Sequence, residues 1–126
     1  MARRFIRDVD GVPSSPSPIS HAVVVGNTCH ISGQLSVYED GYRRASARDE
    51  AARAFELVFR IAAAAGFTSA DIVYVDIAFA DLDDVADVNT LYDQLFSPPP
   101  ARTIYEAARL PFDARVKVQA IAMRDD

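Results

Sequence analysis

Residues 46–79, SARDEAARAFELVFRIAAAAGFTSADIVYVDIAF, contain one change of hydrophobic period, and that change decides the fold class. Ser46 with Asp49 three residues on resembles a capping box. Ala51, Phe55, Val58, Phe59, Ala62 and Ala65 then recur at helical spacing, and Gly66 sits where a C-terminal cap belongs. Ile72–Phe79 follows as a β-rich run with an apolar majority on both faces, which predicts a strand covered on both sides. A helix followed by a buried strand is the centre of an α+β unit.

Toward the N-terminus, His21–Val25, the pair Gly26-Asn27 and Thr28–Ser32 predict a β-hairpin, after a short first strand and the stiff Val12–Pro18 loop. Glu39-Asp40-Gly41 is a further turn signal. Toward the C-terminus, Asp83 or Asp84 is expected to cap a second helix with the stripe Val85, Val88, Leu91, Tyr92 and Leu95. Pro98-Pro99-Pro100 stops it. Arg102 to Ala107 and Arg115 to Ala122 read as two closing strands around Leu110-Pro111-Phe112-Asp113. The expected fold is α+β, a mixed sheet with both helices on one face. No internal repeat or linker divides the chain, so residues 1–126 read as a single domain.

Composition excludes several functions. The chain carries 18 acidic and 13 basic side chains, a formal charge of −5, which is the wrong sign for a general nucleic-acid or anionic-membrane binder. One cysteine, Cys29, excludes an intramolecular disulfide framework and suits a reducing compartment. With 2 histidines there are too few ligands for a structural-zinc cage. No apolar run reaches the ~20 residues a bilayer span needs. Arg3-Arg4 superficially resembles a twin-arginine signal, but Asp8, Asp10 and the Pro/Ser-rich run replace the apolar stretch such a signal requires, so a cytoplasmic location is expected.

Single residues carry the remaining chemistry. Arg102, aimed by the proline segment, offers a planar fork to a carboxylate or phosphate, or is an ordinary surface arginine. Ser32-Gly33-Gln34 lets backbone approach a ligand, or simply leaves the strand. His21 and His30 stand at no metal-ligand spacing, and a satisfied or exposed histidine is the plainer reading of each. Cys29 reads as a small buried residue. Asp81, Asp83, Asp84 and Asp87 lack the pattern of a calcium loop and suit a helix N-terminus.

Ser32-Gly33-Gln34, the helix with Val88-Asn89, Tyr92 and Phe96, Pro100-Ala101-Arg102-Thr103, Leu110-Pro111 and Val118-Gln119-Ala120-Ile121-Ala122 together resemble the Rid family. This is the reactive-intermediate deaminase group, also called YjgF or L-PSP endoribonuclease. The likeness runs through nearly the whole chain with the motifs in order. It implies a chorismate-mutase-like fold assembled as a homotrimer, with clefts each built from two chains, and no metal or organic cofactor. It further implies that Arg102 grips the carboxylate of a small imine or enamine acid while water releases ammonia and a 2-oxo acid. The Ser32-Gly33 backbone and Asn89 would line or shape that cleft.

The chain departs from this pattern at four positions. Ile19 stands where RidA-type members have tyrosine, and Ile104 where they often have cysteine. Lys117 and Gln119 replace two last-strand glutamates, one of which is thought to orient the attacking water. A protonated lysine cannot do that work. Lys117 and Gln119 share a strand face, which the resemblance turns into the cleft and so toward Arg102. Lys117 then suits a doubly anionic ligand, supplies an amine base or nucleophile, or merely reaches solvent in a member that no longer deaminates. Glu106, on the face of Arg102 and Ile104 by alternation, is a substitute carboxylate or a partner for Arg109. The expected function is imine or enamine deamination anchored by Arg102, with Lys117 and Glu106 as further catalytic candidates. Ser32, Gly33, Asn89, Ile19, Ile104 and Gln119 are the other expected binding residues. The alternative is a non-deaminating trimer that binds small carboxylates in the same cleft. Ribonuclease activity, which the older family name suggests, is disfavoured by the charge.

Overall fold

The computed structural model describes residues 2–125. Along the chain run β1 (Arg3–Ile6), β2 (Ala22–Val25), β3 (Thr28–Gln34), β4 (Val37–Tyr38), β5 (Gly41–Tyr42), α1 (Ala47–Ala64), β6 (Ile72–Phe79), α2 (Val85–Leu95), β7 (Ala101–Glu106) and β8 (Val116–Met123). Six strands form one sheet in the order β1-β2-β3-β8-β6-β7, and β4 with β5 makes a separate small hairpin. The β6–β7 pair is parallel, with α2 as its crossover, while the other pairings are antiparallel. The fold is α+β with a mixed sheet.

The period change at residues 46–79 falls where the sequence places it. Ser46 Oγ accepts the Asp49 backbone N–H at 3.1 Å, the forward half of the expected capping box. At the other end Gly66 takes φ +94°, and Phe67 N donates to Ala62 O at 2.8 Å while Gly66 N donates to Ala63 O at 3.0 Å. These paired bonds satisfy the last carbonyls of α1. The second helix starts differently from expectation. Asp81 Oδ1, not Asp83 or Asp84, accepts the first free N–H, from Asp83 at 2.8 Å. A 3-10 turn at Leu82–Asp84 runs straight into α2, so the orphan donors lie upstream of the helix proper.

Both helices cover the sheet face that carries Cys29, Ile31, Val75, Ile77, Val116, Val118, Ala120 and Ala122. Phe55, Phe59, Tyr92 and Phe96 pack between the helices with centroid separations of 4.8 to 6.0 Å. The other face is less covered than the apolar pattern of β6 predicts. Ala78 is buried there with Leu110 and Ala114, but Tyr74 and Asp76 are only half-buried, because the 110–114 loop caps one end of the face. That half-open face is where the groove lies. Among the described residues no helix is long and apolar enough to cross a membrane.

Candidate active site

The expected site residues fall into two groups on opposite faces of the sheet. Register sets the division. Arg102, Ile104 and Glu106 of β7 stand beside Val75, Ile77 and Phe79 of β6, on the helix side. Lys117 and Gln119 of β8 stand beside Ala78 and Asp76, on the open side. Within one chain, therefore, Lys117 and Arg102 stand on opposite faces. The alternation within each strand is as read from the sequence.

Arg102 begins the edge strand and is half-buried against α2. Its Nη1 donates to Asn89 Oδ1 at 2.8 Å, and its guanidinium carbon lies 4.7 Å from the centroid of the Tyr92 ring. An amide and an aromatic face thus hold the group without neutralising it. Its other N–H groups have no protein acceptor among the described residues. Tyr92 has a buried hydroxyl with no hydrogen-bond partner there, and burial raises its phenol pKa against the lowering influence of Arg102. Ile104 packs against the core. Glu106 Oε1 accepts the Leu82 N–H at 3.1 Å and so helps to start α2. It lies about 13 Å along the strand from Arg102 and makes no ion pair with Arg109 among the described residues.

The second group lines a groove of about 1090 Å³ over the open sheet face. Ile19, Ser32, Gly33, Lys117 and Gln119 all border it; Arg102, Asn89, Ile104 and Glu106 do not. A β-bulge between Ile31 and Gln34 breaks the β3–β8 register at Ser32-Gly33. Ser32 Oγ donates to Ser20 O at 2.7 Å, tying the bulge to the segment that carries Ile19. A Cβ on Gly33 would lie 3.1 Å from Lys117 Cδ and 3.2 Å from its Cγ. The missing side chain gives the lysine stem its channel.

Sequence reasoning missed much of this groove. Tyr42 and Phe112 stack in its wall with centroids 5.6 Å apart. Tyr42 OH donates to Glu50 Oε2 at 2.6 Å, and burial together with that carboxylate pushes its pKa up to about 12. Glu50 is fully buried and also accepts the backbone N–H groups of Ala45 and Arg115, each at 3.0 Å. Its place on the apolar stripe of α1 is the signal that marks it. His21 is neither satisfied nor exposed, unlike the plainer reading of its sequence context. It is 5% exposed, its Nδ1 has no partner among the described residues, and it borders the groove. Burial pushes its pKa down, with Asp8 opposing. Cys29 is buried as expected, and burial pushes its thiol pKa up. Among the described residues no set of three or more His, Cys, Asp or Glu side chains is placed to hold a metal ion.

The fold and these motifs have known counterparts. The family model "Endoribonuclease L-PSP" matches residues 12–124. The chain belongs to the Rid, or YjgF/L-PSP, family. The chain is 35% identical over 112 residues to the RutC family protein y4sK of Sinorhizobium fredii, covering 86% of this chain and 89% of the relative. It is 34% identical over 115 residues to the 2-iminobutanoate/2-iminopropanoate deaminase of Homo sapiens, covering 89% and 84%. The structure of Escherichia coli TdcF with bound serine superposes with a TM-score of 0.90 at 31% identity, covering 97% of this chain and all of that one.

Proposed function

We propose that this protein is a Rid-type deaminase that hydrolyses small 2-imino acids to 2-oxo acids and ammonia. The observation that carries this reading is the Arg102 fork, fixed by Asn89 and Tyr92 and left with free donors. Such a group is preorganised for two parallel hydrogen bonds to a carboxylate. Relatives named 2-iminobutanoate/2-iminopropanoate deaminase supply the substrate class. Arg102 and the groove lie on opposite faces of one sheet, so a common site needs a second chain. We therefore propose a homotrimer, as the family resemblance implies, in which Arg102 of one subunit faces the Lys117 groove of the next. We place it in the cytoplasm, with a small carboxylate as its ligand and neither nucleic acid nor membrane as a partner.

In this site Arg102 fixes the carboxylate and so the position of the adjacent imine carbon. The aromatic wall of Tyr42 and Phe112 limits bulk water, and Ser32-Gly33 brings backbone close to the ligand. The test is ammonia release from enzymatically generated 2-iminopropanoate, comparing the native protein with Arg102→Ala. The expected result is acceleration by the native protein and a loss of at least about 100-fold in the variant. Absence of acceleration by the native protein with any imino acid overturns the reading and leaves carboxylate binding without chemistry.

A further inference from the structure

Lys117 is the only lysine in the chain; every other residue among the 13 basic side chains is arginine. That one lysine lines the groove and is half-buried. Its stem crosses the bulge at Gly33, where any side chain would crowd it. Among the described residues no carboxylate forms an ion pair with it. Lysine and arginine both supply positive charge, but only the amine condenses with carbonyl and imine carbons. The groove is also short of carboxylates for activating water, although His21 and His30 border it. Glu39, on the β4–β5 hairpin, is its only carboxylate among the described lining residues.

We propose that Lys117 is a covalent catalytic residue that forms an imine with the substrate carbon. This rests on the reading of the groove as an imino-acid site and names the nucleophile within it. As the free amine, Nζ bonds to the imine carbon, and the C=N π pair moves to the substrate nitrogen, which takes one Nζ proton. The original C–N bond then breaks as the Nζ lone pair closes a new C=N bond. The second Nζ proton reaches the departing nitrogen, which leaves as ammonia. Water adds to the lysine-bound imine, the Nζ–C bond breaks, the carbon leaves as the ketone of the 2-oxo acid, and both water protons return to Nζ. Nothing is oxidised or reduced, and the sum is imine plus water giving 2-oxo acid plus ammonia.

The last step run backwards gives the test. The full chain is incubated with pyruvate and borohydride, its mass is measured intact, and the adduct is located by peptide mapping. The expected result is one reduced pyruvyl adduct, on Lys117, in the native protein and none in Lys117→Arg or Lys117→Gln. Ammonia release is measured on the same three proteins after far-UV circular dichroism has shown them folded. Loss of acceleration in both variants, with trapping in the native protein, supports the proposal. Acceleration that survives in Lys117→Arg with no adduct in the native protein overturns it. That result would leave the deaminase reading standing on a water route, with His21 as the base to examine. If the native protein does not deaminate, the broader reading falls, and absence of the pyruvyl adduct then overturns the lysine proposal separately.

Discussion

Arg102 and the groove are built by opposite means, although we assign them to one chemistry. The arginine is held by neighbours on regular elements: Asn89 and Tyr92 of α2 meet Arg102 at the start of β7 across a parallel crossover. The groove is made of irregular backbone. It needs the Ser32-Gly33 bulge, the 13–19 loop and a Leu110–Ala114 turn in which Phe112 and Asp113 take φ values of 63° and 54°. Such conformations cost on the order of 1 kcal/mol each and persist only where surrounding contacts over-determine them. A rigid anchor is therefore set opposite a shaped but strained wall. The groove half should be the one that stability mutations reach first.

Glu50→Ala tests this most severely. The carboxylate holds Tyr42 in the wall, Ala45 before α1 and Arg115 before β8. Truncation leaves a buried hydroxyl and two backbone donors without their acceptor. We expect a loss of about 3–5 kcal/mol of folding stability, measured by denaturant titration. Hydrogen exchange should rise in the segments around Tyr42 and Arg115 while β7 keeps its protection. Equal deprotection of β7 would show that the two halves are not separately supported.

Asn89→Ala tests the other half, with a smaller effect. Asn89 is exposed, so its loss should change stability by no more than about 0.5 kcal/mol. The guanidinium loses its 2.8 Å acceptor and is free to leave the Tyr92 face. We expect KM for the imino acid to rise about tenfold, with kcat little changed, because in the proposed site the residue positions Arg102 against the carboxylate and not the reacting carbon. A fall in kcat at constant KM would move Asn89 to the chemical step.

The same contrast explains what the sequence shows and what it conceals. The helices and strands follow from local period, caps and breakers, and α1 ends at the glycine that marks its stop. Alternation correctly puts Lys117 with Gln119 and Arg102 with Ile104 and Glu106, since parity within a strand is a local property. Which face of β7 matches which face of β8 depends on the register each makes with β6, and no residue count within one strand supplies that. The Asp81 cap was hidden because a 3-10 turn precedes α2. Glu50 was visible as a charge on an apolar stripe, but its partners lie on β5, the loop before α1 and the start of β8. The groove is legible only once distant segments are brought together.

His21 gives the smallest and most selective test, because it reports the groove half through pH alone. Its imidazole is held below the ordinary value of 6.5 by burial, with Asp8 acting the other way. The unfolded chain therefore takes up a proton near pH 6.5 that the folded chain still resists. Its contribution to stability is fully present above that pH and is lost as pH falls toward the folded value, by at most about 1.4 kcal/mol per pH unit. Other groups titrate in acid as well; Glu56, held down chiefly by its hydrogen bond to Arg53, loses its own contribution at lower pH. The useful quantity is thus the difference between the native protein and His21→Gln, measured by denaturant titration from pH 7 to pH 5. That difference should shift steadily in favour of the variant as pH falls. A constant difference would mean that His21 can protonate in the folded state without penalty, and its unpartnered Nδ1 would then be open to water although the residue is buried and its backbone oxygen accepts the Ser32 N–H.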